Sequence, residues 1–203
     1  EANRAVAAWL RDQGIPLPYR VHEPPAPDDV DELNQLLGQF GLYIAYRGVV
    51  YIRMWRKVTP DVFKDDYVFD LFKADVVKEG ADVTIFCSGM MVEKSLKARA
   101  ILAAEGIDAE IVNVHTIKPI DRETVVKSVR KTRCAVSAEN HNVVGGLYSA
   151  LAEAIVAECP VPMEAVGIQD RFGQVGKLSY LVPEYKMTEA DIAAAARRAI
   201  SRK

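Results

Sequence analysis

The sequence predicts an α/β fold with a mostly parallel sheet and helices on both faces. Two observations carry that expectation. β-branched apolar runs recur along residues 44–203, and amphipathic stretches of about 10–15 residues separate them, which is the pattern of repeated strand–helix–strand units. The composition agrees, since 50% hydrophobic and 27% charged residues over 203 positions can build a real core.

The elements follow in order. VVYIRM (Val49–Met54) is a β-branched run, and DVTIFCSG (Asp82–Gly89) reads as a buried strand ending in a small-residue turn. Met91–Glu105 has helical periodicity and stops at Gly106. AEIVNVH (Ala109–His115) is the next strand, followed by the TIKP turn and a helix Arg122–Lys131 capped by Asp121. CAVSAE (Cys134–Glu139) is a strand, and the Gly145-Gly146 turn leads into the helix Leu147–Glu158. PMEAVGI (Pro162–Ile168) is a further strand, and the helix Glu189–Ser201 closes the chain, capped by Thr188. The expectation is a three-layer, Rossmann-like α/β/α domain.

Residues 1–43 differ. They carry three basic against seven acidic residues, a balance of −4 in a chain whose total is −2, and five of its ten prolines. Ala5, Val6, Trp9 and Leu10 share one helical face, and Leu33, Leu36, Leu37 and Phe40 another. The linker GIPLPYRVHEPPAP between them cannot be helical, because proline fixes φ and constrains its predecessor. A helical, proline-rich arm over 1–43 and an α/β domain over 44–203 are therefore expected.

Charge and hydropathy exclude several classes. With 26 basic and 28 acidic residues there is no basic footprint for nucleic acid or an anionic membrane. No apolar run approaches the roughly 20 residues that span a bilayer. The opening EANRAVAAWL lacks a basic-then-apolar leader, so a cytoplasmic location is expected. Cys87, Cys134 and Cys159 read as buried, reduced thiols.

In such a sheet the loops beyond the strands' carboxyl ends share one rim, where ligands usually bind. That rim would hold Ser88 and Gly89, His115, Glu139 and His141, Gly145 and Gly146, and Asp170 with Arg171. The glycines serve equally as turn and helix-packing positions. Glu139 and His141 read as an acid/base pair, or as a rim network or interface contacts. Neither GxGxxG nor GxxxxGK[ST] occurs, and no metal-ligand spacing stands out. No catalytic residue or metal site is assigned on these residues.

Five strings carry a resemblance: YIRMWRKVTP (Tyr51–Pro60), DVTIFCSGMMVEKSLKA (Asp82–Ala98), IVNVHTIKPID (Ile111–Asp121), SAENHNVVGGLYSALAE (Ser137–Glu153) and DRFGQVGK (Asp170–Lys177). In order and at these spacings, residues 45–203 resemble the C-terminal domain of transketolase, in the version found in split or archaeal-type enzymes. Deoxyxylulose-phosphate synthases and 2-oxoacid dehydrogenase beta subunits are related alternatives, and HTIKPID and ENHNVVGGL favour transketolase. Residues 1–42 separately resemble a helical stretch of the ribonuclease II/R exoribonucleases, which would make the chain a chimera.

The transketolase resemblance implies a two-carbon ketol transfer between phosphosugars with thiamine diphosphate and Mg2+, in the pentose phosphate pathway. In that family the cofactor lies between two other domains, and their GDG motif does not occur in these 203 residues. The implied role is therefore support of a dimer or holoenzyme, inactive alone and binding no cofactor by itself. A homodimer or an N-terminal transketolase subunit is the implied partner. Arg56 matches by motif an arginine that holds substrate phosphate, a task suited to a forked guanidinium. A non-catalytic binding or assembly module with a Rossmann-like core is the competing reading.

Overall fold

The computed structural model describes residues 61–63 and 67–203. The helical arm over 1–43, the strand Val49–Met54 and Arg56 lie outside the described residues. Ten elements follow: β1 (Asp75–Lys78), β2 (Val83–Cys87), α1 (Met91–Ala103), β3 (Ala109–Asn113), α2 (Arg122–Thr132), β4 (Ala135–Asn142), α3 (Leu147–Glu158), β5 (Met163–Ile168), α4 (Leu178–Glu184) and α5 (Glu189–Ile200). The sheet runs in the order β1-β3-β2-β4-β5. Only β1 is antiparallel to its neighbour.

Strand alternation sorts the core into two halves. Val83, Ile85 and Cys87 of β2, with Ile111 and Val136 in register beside Ile85, face a layer made by α1 and α5. There Ala98 and Leu102 meet Ile192, Ala195 and Ala199, and the alanines of α5 let the helix lie close on the sheet. Phe86, Val112 and Val114 point the other way, against Val125, Val129, Leu147 and Leu151 of α2 and α3. The result is the expected three-layer α/β/α domain.

Two caps form as expected. Asp121 accepts the Thr124 N–H at 3.2 Å at the start of α2. Thr188 and Asp191 make a reciprocal capping box on α5 at 3.2 and 2.9 Å. Two elements go beyond the expectation. β1 is four residues long with only two apolar positions, Val76 and Val77, too short to show a period. α4 contains Pro183, which reads as a helix breaker in sequence but sits in the last turn of a seven-residue helix.

The cysteines correct one expectation. Cys87 and Cys134 are buried, and burial pushes their thiols up to about 12 and about 11, so both stay protonated and inert. Cys159 is only partly buried, because it lies at the end of α3 where the chain turns back toward β5.

At the amino-terminal end of the parallel strands the core accepts a charge. Glu110 is 1% exposed, directly across from Thr84 in the parallel register. Thr84 Oγ1 donates to Glu110 Oε2 at 2.8 Å and meets Thr132 Oγ1 at 2.7 Å. Lys131 Nζ reaches the other carboxylate oxygen of Glu110 and also bonds Glu79. A buried carboxylate is tolerated only with such partners. Replacing Lys131 by Met is therefore expected to cost about 2–3 kcal/mol in urea unfolding, the low end for breaking a buried pair, because Lys131 is partly in water. A change below 0.5 kcal/mol would show that the pair is better solvated than the geometry implies.

Candidate functional site

Four parallel strands end on one rim, and antiparallel β1 begins there, with Asp75 opposite Asn113. Ser88 and Gly89 leave β2 in a tight turn. The Ser88 N–H bonds the Ala138 carbonyl at 3.3 Å, and the Ser88 carbonyl takes the Met91 N–H at 3.1 Å. Gly89 has φ +55°, a left-handed conformation that favours glycine. These two residues start α1.

His115, just past β3, is half-buried in a cluster that the sequence did not suggest. Its Nδ1 lies 3.0 Å from Thr116 Oγ1, its ring packs on Phe69 at 4.6 Å between centroids, and its Nε2 is 3.7 Å from Asp75 Oδ2. Asp75 also takes the Tyr67 hydroxyl at 3.0 Å and Asn113 Nδ2 at 3.2 Å. Burial and the bond to Asp75 raise the Tyr67 phenol, so it remains a donor at neutral pH. The segment before β1 is thereby fastened to the rim.

A second fastening uses Asp121. Besides capping α2 it accepts the Ala74 N–H at 3.0 Å, with Lys73 Nζ at 4.0 Å. Burial alone would raise its carboxyl. The bonds from Thr124 and Ala74, with the Lys73 charge, outweigh burial and hold it below the usual aspartate range.

Glu139 and His141 do not form an acid/base pair of the expected kind. Glu139 is 2% exposed, and its carboxylate faces the start of α3. Leu147 N–H donates to Oε2 at 2.7 Å and Tyr148 N–H to Oε1 at 2.9 Å. His141 is exposed, with Nδ1 3.0 Å from the Asn142 carbonyl. Gly145 has φ +76°, and a Cβ on Gly146 would sit 2.1 Å from Glu139 Oε2. Both turn glycines are thus required by the backbone and by the glutamate.

On the far side Asp170 accepts from Asn142 Nδ2 at 3.4 Å. Arg171 turns away to Glu184 at 2.8 Å and lies 5.2 Å from the centre of the Tyr185 ring. A groove of about 700 Å³ opens beside edge strand β5, away from the centre of the rim. Its Glu164 is paired with both Arg198 and Arg202. Among the described residues no group of three His, Cys, Asp or Glu side chains could hold a metal ion. The helix-start amides of α3, a type of group that suits a pyrophosphate, are taken by Glu139.

The family model for the transketolase C-terminal domain matches residues 72–192. The chain belongs to the transketolase family. Over 169 residues it is 44% identical to a 6-deoxy-6-sulfo-D-fructose transketolase subunit of Clostridium sp. (strain MSTE9), covering 83% of this chain and 52% of the relative. It is 37% identical over 151 residues to a putative transketolase C-terminal section of Methanocaldococcus jannaschii, covering 73% and 47%. A solved split gene transketolase, described as an inactive beta4 tetramer, superposes with TM-score 0.70 at 43% identity, covering 73% of this chain and 48% of that one. The chain thus spans about half the length of these relatives. The ribonuclease likeness of residues 1–42 finds no support in these matches.

Several rim residues fasten loops and helix starts. Those that the sequence did not reveal are Tyr67, Asp75 and Asn113, because their partners are distant in the chain. Asp121 was legible as a cap, but its bond to Ala74 was not. Substituting Asp121 by Asn is expected to cost about 1–2 kcal/mol, because Asn can still cap through one oxygen but loses the charge and sets an NH2 group against the Ala74 N–H. Because the folded carboxyl is held low, its contribution is present above the unfolded aspartate value, about 3.9. It is lost as pH falls through the lower folded value, so acid unfolding of D121N should depend less on pH below about 4. Equal acid slopes in the two proteins would contradict this.

Proposed function

We propose that this chain is the C-terminal part of a thiamine-diphosphate-dependent transketolase assembly, in which it supports the holoenzyme and does not catalyse alone. The observation that carries the proposal is the family match across the folded domain, joined to a rim whose candidate groups are engaged in holding loops and helices. The chemistry is the transfer of a two-carbon ketol unit between phosphosugars, placed in the cytoplasm and the pentose phosphate pathway. Thiamine diphosphate and Mg2+ would be held by cofactor-binding domains beyond the described residues, and Arg56 would help to hold substrate phosphate. No described helix is long and apolar enough to cross a membrane, and the charge balance gives no attraction to nucleic acid.

The partners proposed are a second copy of the chain and an N-terminal transketolase subunit. Two facts support assembly: relatives are described as subunits, and the solved relative as a tetramer of beta chains. Surface chemistry adds a third. Phe172 and Val175 lie fully exposed on the loop between β5 and α4, and Val144 is exposed on the turn before α3. Burying each such side chain is worth roughly 1.5–3 kcal/mol.

The purified chain is expected to show no heat of binding with thiamine diphosphate and Mg2+ in calorimetric titration. A micromolar dissociation constant would place the cofactor site on this chain and overturn the supporting role. Self-association should appear as a concentration-dependent sedimentation coefficient. The double substitution F172S/V175S should weaken it about tenfold or more if these side chains are central contacts. A monomer at high micromolar concentration would remove the second copy from the assembly and leave the separate subunit.

A further inference from the structure

A strand, a glycine-rich turn and a helix N-terminus form the arrangement that receives phosphate in nucleotide-binding α/β domains. β4, the Gly145-Gly146 turn and the twelve-residue α3 reproduce it. Here the first two N–H groups of the helix, on Leu147 and Tyr148, point at the two oxygens of one nearly buried carboxylate, that of Glu139. We infer that Glu139 is a built-in anion that occupies this cradle from within, closes it to phosphate and carboxylate ligands, and holds the rim turn in place.

The surroundings are shaped to the glutamate. A Cβ at Gly146 would stand 2.1 Å from Glu139 Oε2 and 2.4 Å from the Asn142 carbonyl. On β5, a Cβ at Gly167 would stand 3.1 Å from Glu139 Cγ, 2.9 Å from Val143 Cγ1 and 3.0 Å from the His141 carbonyl. One glycine makes room for the carboxylate and the other for its stem. The turn is closed by further bonds, from Gly145 N–H to Ser149 Oγ at 2.8 Å and from Ser149 Oγ to the Val143 carbonyl at 3.2 Å. An external anion would have to displace the glutamate from amides that it already satisfies. Charge and hydrogen bonds together make that exchange unfavourable. Glu139 is therefore a positioning residue that excludes anions from this rim position.

The test vacates the cradle in the full chain and offers small anions. Glu139→Ala should lower Tm by about 5–10 °C, the scale for two lost charge-assisted bonds. Sodium formate or inorganic phosphate at about 100 mM should then restore about 2 °C or more relative to sodium chloride of equal ionic strength. Glu139→Gln keeps the bulk and loses the charge, so it should be destabilised and show no anion-specific rescue. In the wild-type protein the amide resonances of Leu147 and Tyr148 should not move with either anion. A folded E139A that no anion rescues would overturn the inference. So would wild-type resonances at Leu147 and Tyr148 that titrate with phosphate. A wild-type Tm in E139Q overturns it as well, and that result does not require E139A to fold.

Discussion

β2 is covered on both faces along its whole length, and the other elements answer to that burial. Each of its five residues, Val83 to Cys87, has no accessible surface. A strand in this position needs a neighbour on each edge for its backbone groups and a helical layer on each face for its side chains. β3 and β4 supply the edges in parallel register. Parallel neighbours need crossovers, so α1 and α2 are placed by connectivity as much as by their own amphipathicity. α5 and α3 complete the two layers.

This double covering leaves little tolerance for charge, yet two glutamate carboxylates lie inside. Glu110 and Glu139 sit at opposite ends of the parallel strands, each almost without solvent. Their solutions differ. Glu110 is met by a cation and one hydroxyl, those of Lys131 and Thr84, and Thr132 in turn bonds Thr84. Glu139 is met by backbone N–H groups and the positive end of a helix. The first ties the end of α2 to the sheet and the second ties the start of α3, so both buried charges hold a helix terminus on the α2/α3 face. The opposite face, rich in alanine, is held by close packing.

The parts legible in the sequence are those with strong local signals. β2 to β5 are short, largely apolar runs bounded by turn residues, and Asp121 and Thr188 stand directly before the helices that they cap. β1 was not legible, since four residues with two valines give no period and its partner β3 lies some thirty residues away. α4 was masked by Pro183. The tasks of the residues past the strand ends could not be read, because a task is set by long-range partners. Nothing local joins Asp75 to His115, or Ala74 to Asp121. Glu139 and His141 look like an acid and a base two positions apart, but one is buried against a helix and the other is exposed.

The rim of a parallel sheet is a place where a ligand can bind, and the fold does not decide whether one does. In this domain the decision is made by side chains from within. A glycine at 146 is ordinarily read as space for a ligand to approach the backbone; here that space is filled by an oxygen of the protein's own glutamate. Gly167, on the neighbouring strand, fits the same side chain. Gly146 and Gly167 are thus both explained by an internal carboxylate. A supporting domain gains from that substitution. The helix start is satisfied by the chain itself, and the rim geometry does not depend on an outside ligand.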